Sequence, residues 1–263
     1  MPRTLVTFHA HPDDEAIATG GVMARTAAEG DRVVLVIATK GELAGFGHDM
    51  LAPGETMAER RVAETQAAGE ILGVARIEFL GYRDSGMDGE PTNDDPESFW
   101  SADLDEAARR LAKILEEEHA DALTVYDERG VYGHPDHVQV HRVGVRAAEI
   151  AGTPVVYEST LNQDHILRLM DEHMGSVMEQ IEGAPDPATF DLGVTEDKIT
   201  TTVDVHDFVD VKRKAMAAHA SQIGESSFFL ALPPEMFRAA FGQEWFIRRG
   251  AAPGTREERL FPA

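Results

Sequence analysis

Two short clusters carry the residues that could do chemistry. The first is His9-Ala10-His11-Pro12-Asp13-Asp14-Glu15, and the second is Tyr132-Gly133-His134-Pro135-Asp136-His137. The chain has no cysteine, so any metal must be held by imidazoles and carboxylates. Two imidazoles, one carboxylate and one open position make up a catalytic zinc site. His11 and Asp14, three residues apart at the start of a helix, could share one ion, with His137 as the third ligand. Zinc lowers the pKa of bound water to about 7, which makes hydroxide available at neutral pH. Asp13, beside the ligands, could take a proton from that water. His134 could donate to a developing oxyanion, and Tyr132 could offer a further donor. Asp136 could orient His134 and favour its protonated form. Glu15 could hold a ligand imidazole by its free ring nitrogen. His9 reads nearly as well as a satisfied buried histidine as a functional one.

The bland alternative has weight for each residue alone. A single His or Asp at such a junction is more often a cap or a surface charge, and Asp136 after Pro135 could simply open a helix. Two clusters of His, Pro and Asp at two strand ends are hard to explain in that way. A junction that only had to turn the chain would more often hold Gly, Asn or Ser.

The elements that must position these clusters follow from the apolar pattern. Leu5-Val6-Thr7-Phe8 reads as a buried strand, followed by a helix over Ile17 to Glu29. Residues 32 to 38 are nearly all aliphatic and suit a parallel sheet covered on both faces. Residues 43 to 54 read as a mobile loop near the pocket. Glu55 to Leu72 reads as a helix capped by Thr56 and ended by Gly73. A third strand is expected at Ile77-Glu78-Phe79-Leu80, and the acidic stretch from Asp88 to Ser101 as a surface loop. Leu104 to His119 is helical by its apolar spacing. Ala122 to Tyr126 is a fourth strand that leads through the second cluster into a helix to about Ile150. Pro154 to Tyr157 is a fifth strand. His165 to Ile181 is an amphipathic helix, Glu182 to Thr189 a connector, Ile199 to Val203 a strand and Val209 to Ala220 a helix. From Ser221 onward the pattern assigns no firm element.

Strands alternating with helices predict an α/β fold: a Rossmann-like, mainly parallel sheet with helices on both faces and right-handed crossovers. In such sheets ligands bind beyond the carboxyl ends of the strands, where both clusters fall. No Gly-x-Gly-x-x-Gly follows the first strand, so a dinucleotide site fails its main requirement. The 263 residues suit a single domain over 1–263, with a core of about 1–160 and a C-terminal part, 161–263, that completes the domain and pocket. The net charge of −23 argues against nucleic acid or an anionic membrane as partner. The longest clean apolar run, Val33 to Ala38, is too short to span a bilayer. No secretory signal pattern opens the chain, and a cytoplasmic location is expected.

His11-Pro12-Asp13-Asp14-Glu15 together with His134-Pro135-Asp136-His137 resembles the LmbE-like, or PIG-L, zinc deacetylase family. The resemblance runs from the first strand to about residue 160, with a looser echo at Lys214 to Gln222. It implies hydrolysis of an N-acetyl group, commonly on glucosamine attached to another group. It also implies zinc on His11, Asp14 and His137, Asp13 as general base, and His134, oriented by Asp136, at the oxyanion with Tyr132 beside it. Arg61 and Glu64 resemble a family pair whose Arg reaches the sugar; an ordinary i,i+3 helix salt bridge explains them as well. Arg83-Asp84-Ser85-Gly86-Met87 resembles a family loop whose Asp contacts sugar hydroxyls, with a plain turn as the alternative for Asp84. The mycothiol-pathway branch usually continues its first motif with Ser, where this chain has Ala16-Ile17. It also carries more carboxylates after the second strand, where this chain has Glu42-Leu43-Ala44-Gly45.

The expected protein is therefore a zinc-dependent hydrolase that removes an N-acyl group from an amino-sugar conjugate, with one Zn2+ per chain; Fe2+ or another divalent ion fits the same donors. An amidase of a mycothiol-type conjugate is the near alternative, and a non-catalytic sugar- or metal-binding protein the distant one. Two histidines and one carboxylate also suit non-haem iron and oxygen chemistry, though usually on all-β scaffolds. The partner expected is a small N-acetylated amino sugar, and a homo-oligomer is compatible with the sequence. The loops around residues 43 to 54, 83 to 101 and 221 to 235 are expected to shape the pocket.

Overall fold

The run Val33 to Ile37 is buried at every position, as a strand covered on both faces requires. The structure, a computed structural model, describes residues 2–45, 47–171, 191–224 and 227–261. In it β1 (Thr4–His9) lies parallel to β2 (Arg32–Ile37), which pairs in turn with β3 (Arg76–Phe79). On the other side of β1 lies β4 (Ala122–Tyr126), again parallel, followed by β5 (Val155–Thr160). β6 (Thr201–Asp204) and β7 (Gln243–Arg248) complete a seven-stranded sheet of order β3-β2-β1-β4-β5-β7-β6, with β7 antiparallel to both neighbours. The mainly parallel α/β fold expected from the sequence is the fold observed.

Alternation along β2 divides the core into two. Val34 and Val36 join Val6, Phe8, Leu111 and Val140 on one face, and Val33, Leu35 and Ile37 join Met23, Leu72 and Met216 on the other. Period-two side-chain alternation makes both faces apolar only when both are covered. Helices α4 (Leu104–Glu117) and α6 (Pro135–Ala151) cover the first face. Helices α1 (Asp14–Ala18), α2 (Gly20–Ala28) and α3 (Met57–Leu72) lie with α8 (Val209–Ala218) on the second. α5 (Gly130–Gly133) is a single turn; α7 (Gln163–Leu169), α9 (Phe228–Ala231) and α10 (Pro234–Phe241) belong to the C-terminal part. Thr56 and Glu59 cap α3 reciprocally, and Gly73 ends it with φ 76°, a backbone state that glycine adopts at little cost.

Two expectations need correction, and one strand was not expected. The helix expected over 17–29 is two helices broken at Thr19, whose φ of −132° leaves the helical range; its hydroxyl bonds His9 Nε2 at 2.9 Å and donates to Glu15 O at 3.2 Å. The stretch from Asp88 to Ser101 does not stay on the surface: Phe99 is fully buried and meets Phe8 edge-on. β7 carries no expectation at all, although Trp245-Phe246-Ile247 has the aromatic and β-branched character of a strand. The sequence after Leu169 that was expected to run helically to Ile181, and the connector Glu182–Thr189, lie largely outside the described residues. Among the described residues no helix is long and apolar enough to cross a membrane.

The C-terminal part is stitched to the first helices by one buried carboxylate. Glu244 on β7 accepts from the Gly21 and Val22 amides at 2.7 and 2.8 Å, so it closes the positive N-terminus of α2. Lys212 on α8 donates to the same carboxylate at 2.7 Å, and both side chains are almost completely buried. A Cβ at Gly21 would fall 2.6 Å from Val205 Cγ2, so only glycine allows this approach. Removing one partner of a buried pair leaves the other charge uncompensated. Lys212→Met is therefore expected to lower unfolding stability by about 3–5 kcal/mol, read as a shift of the urea midpoint at unchanged slope.

Candidate active site

Parallel pairing of β1 with β4 brings the two clusters to one end of the sheet. Between these strands the chain's path reverses: β1 leads outward to β2 and β3, and β4 returns to its other side. Such a switch point opens a crevice at the strands' carboxyl ends. His11 Nδ1 lies 3.3 Å from Asp14 Oδ2, and His137 Nε2 lies 3.3 Å from the same oxygen. The three donor atoms all fall within 4.8 Å of one another. Ligands about 2.1 Å from a tetrahedral ion stand about 3.4 Å apart, so this spacing fits a shared divalent cation better than tight hydrogen bonds. The donor set, two imidazoles and one carboxylate, is that of an open catalytic site.

The surroundings hold these donors in place. Asp14 Oδ2 also accepts from the His11 backbone amide at 2.9 Å. His11 turns Nε2 to Asp136 Oδ2 at 3.1 Å, with Asp84 Oδ1 at 3.6 Å. This leaves Nδ1 available to a cation, and such a bond raises the basicity of the ring. Asp136 is fixed by the Ser85 amide at 3.0 Å and by the Ser85 hydroxyl. The His137 ring stacks on Tyr126, 4.3 Å between centroids and 14° from parallel. Burial opposes charge on His11, yet hydrogen bonds to Asp136, Asp14 and Asp84 outweigh it and raise its pKa well above the imidazole range. Burial likewise opposes ionising Asp14, but His137 and His11 hold its pKa well below the usual value. A site that draws positive charge this strongly suits a metal cation. His11, His134 and Asp136 form a second group with mutually close donor atoms, in which both oxygens of Asp136 already accept hydrogen bonds, from the Ser85 amide and hydroxyl and from His11.

Asp13 is the unusual residue of the first cluster. Its φ of 102° lies where side chains are rarely tolerated, a strain of order 1–3 kcal/mol that typically persists at functional sites. Burial pushes its carboxyl up to about 6, against the opposing pull of Arg61. That value lies near neutrality, where a general base works best. His134 caps α6: its Nδ1 accepts from the Asp136 amide at 3.1 Å, which puts the neutral ring's proton on Nε2. Burial and the neighbouring His11 and His137 push its pKa down to about 4. Tyr132 places its hydroxyl 3.4 Å from His137 Nε2 and is 47% exposed, so it borders both the donor group and solvent.

Several expected contacts are differently made. Asp136 was expected to orient His134 and keep it charged; its side chain holds His11 instead, and only its backbone amide meets His134. Glu15 was expected to hold a ligand imidazole. Its carboxylate instead accepts from His219 Nε2 at 2.5 Å and from the Asp13 amide at 3.0 Å. Arg61 was expected to reach the sugar or to pair with Glu64. It is 4% exposed and donates to Gly41 O at 2.8 Å and to Pro12 O, with Asp13 Oδ1 at 3.4 Å. Glu64 accepts from the Ser221 amide and hydroxyl at 2.9 and 2.7 Å. Asp84 stands at the site beside His11 and is steadied by the Gly86 amide at 2.9 Å. Burial disfavours its charge, but the His11 hydrogen bond and charge keep its pKa low. His9 is a satisfied buried histidine, bonded to Tyr126 and Thr19 at 2.9 Å each. Ser85 and His219 were not singled out as site residues. Ser85 sits inside the loop quoted for Asp84, and His219 inside the weak match at 214–222.

The two donor groups can be told apart by metal titration. His11→Ala, Asp14→Ala and His137→Ala are each expected to abolish tight binding of one equivalent of divalent metal and the thermal stabilisation it brings. His134→Ala is expected to retain both, measured by calorimetry and thermal melts with and without chelator.

A family profile described as PIG-L, GlcNAc-PI de-N-acetylase, matches residues 6–148, a span that includes both clusters. The chain is similar to 1D-myo-inositol 2-acetamido-2-deoxy-alpha-D-glucopyranoside deacetylase 1 of Catenulispora acidiphila, 38% identical over 96% of this chain and 86% of the relative. It is equally similar to the corresponding deacetylase of Thermomonospora curvata, 38% identical over 98% of this chain and 96% of the relative. Among solved structures, the N,N'-diacetylchitobiose deacetylase of Pyrococcus horikoshii superposes with a TM-score of 0.57 at 20% identity, over 96% of this chain and 84% of that one; at that identity it speaks to the fold alone. With a strand-end pair of His-Pro-Asp clusters, a matched profile over more than half its length and full-length relatives of this kind, the chain belongs to the PIG-L family of deacetylases.

Proposed function

We infer that this protein is a zinc-dependent hydrolase that removes the acetyl group from an N-acetylglucosamine linked to a small polyol, of the inositol-linked kind named for the relatives. The observation that carries the reading is Asp13, a strained carboxylate poised near neutrality, next to three donors, His11 and His137 buried and Asp14 half-buried, spaced for one divalent ion. A binding protein has no use for such a base. The family relationship supports the amide as the bond attacked, and the relatives' names support the sugar and its partner.

His11, Asp14 and His137 would hold the ion, which when bound supplies Lewis-acid polarisation of the acetyl carbonyl and a more acidic water. Asp13 takes the proton of the water that adds to the carbonyl carbon and delivers it to the departing amine nitrogen. The Nε2 proton of His134 is free to meet the oxyanion, because Nδ1 is occupied by the Asp136 amide; a neutral donor serves there without needing a charged ring. Tyr132, half exposed at the mouth, adds a second donor to the same oxygen. Asp136 acts through His11, whose ring it orients. Asp84 presents a carboxylate to the sugar hydroxyls from the loop after β3.

Free-amine release from inositol-linked N-acetylglucosamine by the zinc-loaded protein tests this directly. Asp13→Ala is expected to keep its metal and lose about 10²–10⁴-fold in kcat. His134→Ala is expected to lose about 10²–10³-fold in kcat with KM little changed. Full turnover by Asp13→Ala would remove the base assignment, and turnover requiring molecular oxygen would point to iron chemistry instead.

A further inference from the structure

Asp13 is held in its unusual conformation from outside its own cluster. On its helix side, its carbonyl accepts from the Ala16 and Ile17 amides, both at 3.1 Å, so the first turn of α1 anchors it. The remaining freedom lies in the peptide unit that precedes it, since φ sets the angle between that unit and the side chain. Both polar ends of this unit are bonded to charged side chains. The Pro12 carbonyl accepts from Arg61, and the Asp13 amide donates to Glu15 Oε2 at 3.0 Å. The cation faces the negative end of the peptide dipole and the anion faces the positive end, as charge-assisted bonds require.

We propose that Arg61, Glu15 and His219 form a clamp on the Pro12–Asp13 peptide, and that they are positioning residues which aim the Asp13 carboxylate. The proposal rests on the reading of Asp13 as the base. His219 enters because a lone carboxylate would not stay put: its Nε2 donates to Glu15 Oε1 at 2.5 Å, and both side chains are fully buried. His219 lies just beyond α8, outside the segment matched by the family profile. Its own position is secured two residues on, where Ser221 spends both its amide and its hydroxyl on Glu64 of α3. Arg61 comes from that same helix. It reaches the clamp past Gly41, where a Cβ would sit 2.0 Å from Arg61 Nη1. The first turn of α1, α3 and the exit of α8 thus meet on one peptide bond.

The clamp is tested by a double-mutant cycle and by a measurement independent of turnover. With zinc-loaded protein and inositol-linked N-acetylglucosamine, His219→Ala is expected to lower kcat on the order of tenfold to a hundredfold with KM unchanged. His219→Gln, which keeps a donor for Glu15, is expected to recover most of that loss. In an Asp13→Ala background, His219→Ala is expected to cost nothing further, because there is no base left to aim. Arg61→Lys is expected to reduce kcat rather than raise KM, which separates a clamp from a sugar ligand. Without substrate, exchange of the Asp13 amide followed by NMR is expected to accelerate at least about tenfold in His219→Ala while the β1, β2 and β4 amides keep their protection. The proposal is overturned if the loss is the same in both backgrounds, if Arg61→Lys changes KM alone, or if Asp13 exchange is unaltered. If the wild-type protein leaves this substrate intact, the substrate reading fails and the exchange experiment still decides the clamp.

Discussion

Gathering five carboxylates in one crevice, three of them buried and two half-buried, is the constraint that the rest of this structure answers. Asp13, Asp14, Glu15, Asp84 and Asp136 lie within or beside a floor only partly open to solvent. Charges removed from water must be paired or must coordinate a metal. Each carboxylate here has a distinct solution. Glu15 takes His219, Asp13 takes Arg61, and Asp136 takes His11 and Ser85. Asp14 faces two imidazoles at distances suited to a shared cation. Burial opposes both charges of the Glu15–His219 pair, yet their mutual attraction lowers the one pKa and raises the other. The centre is therefore a network in which His11, Asp14, Asp13 and the groups that orient them share the same few partners.

The sheet makes such a network affordable in sequence. Seven residues of the first cluster and six of the second bring the three donors and Asp13 together, because β1 and β4 are neighbours and their exits are a strand spacing apart. α6 begins at Pro135, directly after His134, so its first turn presents Asp136 and His137 inward while His134 caps it. The Tyr126 ring at the end of β4 joins the two clusters: its hydroxyl meets His9 and its face stacks on His137.

The C-terminal part contributes more than cover. Glu244 closes α2 and Lys212 neutralises it. Ser221 and His219 bind α3 and α1. These contacts lock together the helices that carry Arg61, Asp14 and Glu15. The antiparallel β7 is what allows it, since β7 runs back between β5 and β6 and brings Glu244 beneath α2.

The sequence by itself determined the parallel α/β class, the order of β1 to β5 along the chain and the three donor positions, because these depend on local apolar period and on motifs of a few residues. It also singled out Asp13 as a candidate base, since it stands in the same cluster as two candidate donors. Tertiary structure decided which partner each charged group takes. Nothing near Glu15 in the chain names His219, and nothing near Asp136 names Ser85, because hydrogen bonds form between groups that folding brings together and not between neighbours in sequence. The same holds for Arg61: its place on α3 is legible from the capped helical pattern, but its inward turn onto Pro12 and Gly41 depends on how α3 packs against the exits of β1 and β2. Phe99, hidden in an acidic stretch that reads as surface, was decided likewise by an unfilled space against Phe8. Local pattern sets which face of an element is apolar, while packing alone sets what that face, or a charge at its edge, will meet.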